Sequence, residues 1–418
     1  MKNIQEILTK IWNDDRQSDF SNPFCSFLYT LSLPYGGAVR FRNYLYDNGL
    51  LETKKLPCPV VSVGNLTVGG TGKTPMVILL ANLLQKKGYR PAVLSRGYAG
   101  RNRQKSNVIT DGQNILLGPD DAGDEPFLIA ASTSGVPVLT GRDRYLAGKH
   151  ALDRLGANVL VLDDAFQHRQ VFRDLNILLL DAERPFENGC ILPRGPLREP
   201  RSSLKRADLI VLTRVDEKIQ STFNLDLDHE FPEIPVFQAR HRPTEIIPLS
   251  SLHPSLSSMS STVILSPTDS VILSLSKDEH SNASVFYPQE KPVQTLRQAQ
   301  GDKKDVFPVD FLRGKRVCAF AGIAHPESFR KTVESLGAEV VAFKTYPDHH
   351  HYTREDVEDI QKASREQAAE IILTTEKDGV KLSCLDDAVP DICMLRIEME
   401  ILSESKRFED TILARLSA

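Results

Sequence analysis

Val60-Val61-Ser62-Val63 runs into Gly64-Asn65-Leu66-Thr67-Val68-Gly69-Gly70-Thr71-Gly72-Lys73-Thr74, and Pro75 opens an apolar pattern of helical period (Met76, Leu79, Leu80, Leu83, Leu84) closed by Gly88. A β-branched run, a glycine-rich turn and a helix, in that order, are the setting that a phosphate loop requires. Glycines let backbone N–H groups turn inward around phosphate oxygens, and the helix N-terminus adds positive potential. Lys73 is expected to reach the β- and γ-phosphates of a nucleotide, and the Thr74 hydroxyl to bind Mg²⁺. The expected cradle is thus Thr67, Val68, Gly69, Gly70, Thr71, Gly72, Lys73 and Thr74, with Thr67 standing where the usual pattern has its first glycine.

Outward from this turn, short apolar runs alternate with helical patterns. Strands are expected at 92–95, 137–139, 159–162, 177–180 and 209–212, and helices at 75–87, 125–132 and 144–155. Such alternation predicts an α/β fold: a mostly parallel sheet of the phosphate-loop NTPase type, with helices on both faces. A second α/β pattern begins near Lys315, with strands at 317–321, 339–343 and 370–373 and helices at 327–336 and 354–363. It predicts a smaller C-terminal domain with its own sheet. Residues 250–308 are rich in Ser, Pro and Gln without sustained periodicity, which reads as a disordered low-complexity insertion. The expected division is therefore 1–56, 57–249, 250–308 and 309–418.

Phe24, Phe27, Leu28 and Leu31 share a helical face, and Val39, Phe41, Tyr44 and Leu45 follow beside Arg40 and Arg42. Pro34, Gly36 and Gly37 are expected to break this stretch, and no apolar run reaches the roughly 18 residues of a spanning helix. Two readings stay open: an interfacial amphipathic segment, or a helical pair packed on the core. The first 17 residues are amphipathic, with no pattern of a signal peptide. The chain has 418 residues and a formal charge of −4, which argues against a general nucleic-acid binder. Six scattered cysteines without CxxC or Cys/His spacing suit a reduced, cytosolic protein.

Three further stretches carry chemistry. Val159–Leu162 ends in Asp163-Asp164, four apolar residues and an acid, as in a strand that carries a carboxylate to the Mg²⁺ beside a phosphate loop. Asp124-Glu125-Pro126 follows Gly123 and opens a helix; the acids either cap the helix or make Asp124 a base for an acceptor hydroxyl. His349-His350-His351 is a poor metal motif, because three consecutive imidazoles cannot face one site. One of them is expected to pair with a carboxylate of the first domain. Thr213-Arg214-Val215-Asp216 resembles the guanine-reading [NT]KxD element and keeps a GTP-driven switch or metallochaperone open as a rival; a non-catalytic scaffold is another.

Together, VGNLTVGGTGKTP (63–75), SRGY (95–98), GDEPFL (123–128), VLDDAFQHR (161–169), RDLNILLLDA (173–182), NGCILPRGPLREP (188–200), AGIAHPESF (321–329), PDHHHYT (347–353) and TTEKD (374–378) resemble, in order, the tetraacyldisaccharide 4′-kinase family. The resemblance covers the chain apart from the insertion. It implies transfer of the ATP γ-phosphate to the 4′-hydroxyl of a tetraacylated glucosamine disaccharide 1-phosphate, a lipid A precursor. It also implies peripheral association of the N-terminal helices with the cytoplasmic face of a Gram-negative inner membrane, and two domains that close over the nucleotide. The family's acid–histidine pair maps onto Asp124 and His349, and Mg²⁺ onto Thr74 with Asp163, Asp164 and Glu125. His168 would stand behind these ligands, and Arg169 and Arg198 are weaker candidates for the substrate 1-phosphate. No protein partner and no nucleic acid are expected. Two departures are Ala165, where the family usually has glycine, and Arg194, where a small residue is common.

Overall fold

The computed structural model describes residues 8, 11–12, 22–97, 100, 106–215, 231–250, 306–383, 385, 392–402 and 404–417. Strand β1 (Val60–Asn65) is buried along its whole length. It pairs in parallel with β5 (Val159–Leu162) on one side and β6 (Leu175–Asp181) on the other. From one edge the order is β3 (Asn107–Thr110), β4 (Val138–Thr140), β2 (Pro91–Ser95), β5, β1, β6, β7 (Leu209–Thr213) and β8 (Val236–Pro248). Of these only β3 runs against its neighbour. Strands this apolar require cover on both faces. Helix α2 (Lys73–Lys86) supplies Met76, Leu80 and Leu84 on one face. There it meets Phe127 of α4 (Asp124–Ser132) and Phe408 of α9 (Ser405–Leu416). On the other face, Ala147 and Ala151 of α5 (Arg144–Leu155) lie against Leu94 and Leu160. Each Val or Leu fully buried here contributes about 1.5–3 kcal/mol relative to exposure. A short helix, α3 (Pro119–Ala122), precedes α4.

In the second half, β10 (Arg316–Ala321) lies between β11 (Glu339–Thr345) and β12 (Ile371–Thr375), and β13 (Ile392–Ile401) follows β12, all parallel. Phe329 and Val333 of α6 (Pro326–Ser335) cover one face of it. Val357 and Ile360 of α7 (Arg354–Glu366) cover the other, and the short α8 (Glu376–Leu382) follows β12. These strands do not form a sheet of their own. Strand β8 pairs with β7 through Val236–Gln238 and, antiparallel, with β13 through Ala239–Pro248, so one hydrogen-bonded path runs through both halves. The middle of β8, Arg240-His241-Arg242-Pro243-Thr244, carries no apolar alternation. Its strand character comes from pairing with β13 rather than from local propensity.

The N-terminal stretch also differs from expectation: α1 (Pro23–Asp47) passes through Pro34, Gly36 and Gly37 as one helix. The proline deprives the Thr30 carbonyl of its helical donor, and Thr30 is exposed, so water can take that place. Cys25, Leu28, Ser32, Gly36 and Val39 form a narrow buried stripe. The Ser32 hydroxyl donates to the Ile191 carbonyl (2.9 Å) and accepts from the Arg194 backbone N–H (3.1 Å), which seats the helix on the 188–198 loop. Arg194 is itself buried in that seat. Phe24, Phe27, Leu31, Leu33, Phe41 and Tyr44 remain exposed. No helix among the described residues is long and apolar enough to cross a membrane.

The 251–305 segment, like most of the first 21 residues, lies outside the described residues. Its flanks meet in a hairpin: Ile246 of β8 pairs with Phe307 of β9 (Phe307–Pro308), antiparallel. Excision of 251–305 would leave a loop of residues 247–250 and 306. Loops of that length close antiparallel strands readily, so the excised protein is expected to keep its fold and its turnover; aggregation or loss of activity in purified material would show that the segment is structural. A second expectation concerns Gly64, where an added Cβ would lie 2.6 Å from the Phe166 Cβ and 2.7 Å from its backbone N. Gly64→Ala should cost about 1–3 kcal/mol by overpacking, read as a lower thermal midpoint.

Candidate active site

Open parallel sheets place their sites beyond the carboxyl ends of the strands, and here β1, β2, β5, β6 and β7 all deliver polar residues to one edge. After β1 the chain pairs with the 196–198 stretch. The Val68 N–H donates to the Pro196 carbonyl (2.8 Å), the Arg198 N–H to the Leu66 carbonyl (2.7 Å), and Thr67 bridges Leu197. Thr67 and Thr71 are buried, whereas Val68 is exposed. Gly72, at φ 81°, begins α2; its missing Cβ would meet His241 Nε2 at 2.5 Å and Met399 Cε at 2.8 Å, so only glycine fits. Lys73 and Thr74 then open the helix. The Lys73 ammonium donates to Asn65 Oδ1 (3.3 Å) and the Gly69 carbonyl (3.4 Å) and stands 3.7 Å from Asp164 Oδ1.

Because β5 adjoins β1, Asp163 and Asp164 arrive beside this turn. Asp164, at φ 47°, takes the left-handed conformation, so Ala165 has no need of it. Both Asp164 oxygens accept from one Arg198 nitrogen (3.0 and 2.9 Å), and the carboxyl is held below its usual range: burial opposes ionisation, but Lys73 and Arg198 outweigh it. Asp163 is in the opposite situation. Its Oδ2 accepts from the Ser95 hydroxyl of β2 (2.8 Å), and its Oδ1 is buried with no hydrogen-bond partner among the described residues. Burial, then the nearby Glu125 and Asp164, push it up to about 6. A buried carboxylate oxygen with a vacant lone pair and too little positive charge around it is the environment that suits a cation.

Helix α4 presents Asp124 and Glu125 to the same edge from its first turn. From the second half, His349, at φ 60°, turns its imidazole toward them, and its Nδ1 lies 3.0 Å from Asp124 Oδ2. The histidine triplet splits. His350 pairs with Asp356 (3.1 Å) and stacks on Tyr346, while His351 is exposed. Helix α8 adds two ammonium groups one turn apart. Lys377 Nζ is 3.2 Å from Glu125 Oε1, 3.1 Å from Asp348 Oδ1 and 3.4 Å from His349 Nε2. Lys381 Nζ is 3.4 Å from Asp124 Oδ2. Burial would raise the Asp124 pKa, but the bond to His349 and the charges of Lys381 and Lys377 bring it down to about 2. Sequence reasoning did not single out either lysine. The signal available was their spacing of four behind Thr375, which caps α8.

Other residues named from the sequence take different places. Arg169 donates to the Asn43 carbonyl (3.1 Å) and Asp47 Oδ1 (2.8 Å), tying α1 down. Arg198 is engaged by Asp164. His168 is half-buried, its Nε2 without a hydrogen-bond partner among the described residues, and burial together with Arg144 and Arg173 lowers it to about 4. Thr213 donates to the Thr71 carbonyl (3.1 Å), and Arg214 bridges the Gly70 carbonyl and Asp181. The first two residues of the guanine-like element thus brace the phosphate loop; Asp216 lies outside the described residues, as does Tyr98.

The sequence profile described as tetraacyldisaccharide-1-P 4′-kinase matches residues 24–417. The tetraacyldisaccharide 4′-kinase of Syntrophus aciditrophicus is 43% identical over 412 residues, covering 98% of each chain. That of Desulfatibacillum aliphaticivorans is 36% identical over 390 residues, covering 93% of this chain and 92% of its own. The crystal structure of LpxK from Aquifex aeolicus, described as an "apo" form in complex with ATP, superposes with a TM-score of 0.66 at 30% identity, covering 94% of this chain and 99% of that one. With the profile spanning nearly all of the described fold and relatives matching end to end, the chain belongs to the tetraacyldisaccharide-1-phosphate 4′-kinase family.

Proposed function

We propose that this protein transfers the γ-phosphate of ATP to the 4′-hydroxyl of a tetraacylated glucosamine disaccharide 1-phosphate, a lipid A precursor. The observation that carries this reading is the approach of His349 to Asp124 from the other half of the molecule, at the edge that holds Lys73 and Asp163. ATP as donor is supported by the Aquifex aeolicus relative, whose structure is described with it. The exposed aromatic and leucine side chains of α1 support seating on a lipid surface, which we assign to the cytoplasmic face of the inner membrane. The division into an N-terminal helical segment (1–56), a kinase unit (57–249), an insertion (250–308) and a C-terminal unit (309–418) belongs to the same proposal.

Phosphoryl transfer asks a protein mainly for positioning and charge neutralisation. The backbone N–H groups of 69–74 and the start of α2 hold the phosphates, and Lys73 neutralises the group in transfer. Asp124, ionised and oriented by His349, accepts the proton of the 4′-hydroxyl as the new O–P bond forms and the bond to the β-phosphate oxygen breaks. Thr74 and Asp163 would hold Mg²⁺, with Asp164 and Glu125 as further ligands. Bound there, the ion screens phosphate charge.

The first test is transfer of labelled γ-phosphate from ATP to the tetraacyldisaccharide 1-phosphate in mixed micelles. Labelled lipid should form with the native protein and vanish with Lys73→Ala; no lipid product, with GTP hydrolysed instead, would overturn the reading. Asp124→Asn should lower kcat by about a hundred- to ten-thousandfold with little change in KM, because a base acts chiefly in the transition state. Near-normal turnover would remove Asp124 from that role.

A further inference from the structure

Helix α8 sets two lysines against the two acids of α4, but Lys377 does more than balance charge. Its ammonium touches both Glu125 and Asp348 and lies 3.4 Å from His349 Nε2, the ring nitrogen opposite the one that faces Asp124. An ammonium has three N–H donors and no acceptor. Its contact with an imidazole nitrogen is favourable only when that nitrogen carries the lone pair. We propose that Lys377 is a positioning residue that fixes His349 in the Nδ1–H tautomer, so that the imidazole donates to Asp124 and Asp124, not the imidazole, receives the acceptor's proton.

The surrounding geometry supports one assignment. With the proton on Nδ1, a donor faces Asp124 Oδ2 at 3.0 Å and a lone pair faces Lys377. With the proton on Nε2, a lone pair would face the carboxylate and an N–H would face an ammonium, two repulsive contacts in a half-buried place. Asp348 Oδ2, at 3.9 Å from Nε2, is too far to hold a proton there by a hydrogen bond. Lys377 is itself held in place: Glu125 and Asp348 accept its other N–H groups, and α8 is fixed at its start by Thr375, whose hydroxyl accepts from the Asp378 N–H (3.1 Å). A histidine oriented through its far nitrogen is a familiar device around metal ligands; here the same device would act on a histidine that orients a base. The inference rests on Asp124 serving as that base.

The test reads the tautomer without relying on activity. In full-length protein labelled with ¹⁵N-histidine, the signals of His349 are those lost in His349→Gln. Two-bond proton–nitrogen correlations should show Nδ1 protonated and Nε2 unprotonated; an Nε2–H tautomer in the native protein would overturn the proposal, whatever the variants do. Lys377→Met removes the donor at similar length. It should weaken that tautomer preference, seen as a rise in the Nε2–H form that Asp124 alone does not prevent, and lower kcat about ten- to a hundredfold, the range for partners that orient a histidine, with KM little changed. Lys377→Gln keeps a neutral N–H donor and should recover part of both. Either change without the other in Lys377→Met sinks the proposal, as does neither. Absence of labelled lipid from the native enzyme would instead count against the proposed reaction and leave the tautomer reading untouched.

Discussion

Four carboxylates, Asp124, Glu125, Asp163 and Asp164, converge at one edge of the sheet, and like charges so placed repel one another unless cations are brought to them. Much of the architecture around the edge answers that constraint. Lys73 arrives from the start of α2 and Arg198 from the loop that pairs with the phosphate turn, and both are spent on Asp164. Arg144 is buried beneath, its Nη2 reaching the Asp163 carbonyl. Lys377 and Lys381 come from the far half of the molecule to Glu125 and Asp124. Asp163 alone is left short, and it is the carboxylate whose pKa rises. The Asp163 carboxyl, pushed up to about 6, and the Asp124 carboxyl, brought down to about 2, thus stand at the same edge under opposite balances of charge.

How much of this is legible in the sequence depends on whether the determining interaction is local. The turn from Gly64 to Thr74 and the strand ending at Asp163 are local: glycine freedom, helix start and apolar run lie within a dozen residues, and they place β1, α2 and β5 correctly to within a residue or two. That Asp124 and His349 pair was expected from family resemblance, not from spacing, because 225 residues separate them. Lys377 lies inside the TTEKD stretch that carried part of the resemblance, but nothing there pointed to its role, and Lys381 carried no signal beyond an unremarkable helical spacing. Strand β8 was missed for a related reason, since its polar middle takes its form from β13. The opposite error occurred at α1, where Pro34 and the two glycines argued for a break. Propensity lost there to the contacts of Ser32, Gly36 and Val39 with the body of the protein.

Strand β8 joins the two halves by hydrogen bonds, pairing with β7 of the first and, over a longer stretch, with β13 of the second. It lies close to the phosphate turn: His241 of β8 and Met399 of β13, which pair with each other, both pack against Gly72. The ribbon that joins the halves and the loop that would hold phosphates therefore share a contact surface.

The manner in which α1 is fastened bears on how substrate concentration should be counted. A helix held along one narrow stripe, with aromatic and leucine side chains on its remaining faces, confines its carrier to a plane once those faces enter lipid. Encounter with an acylated sugar then becomes a two-dimensional search, governed by mole fraction in the layer and not by amount per volume. Adding inert lipid would slow such an enzyme by surface dilution even at constant total substrate.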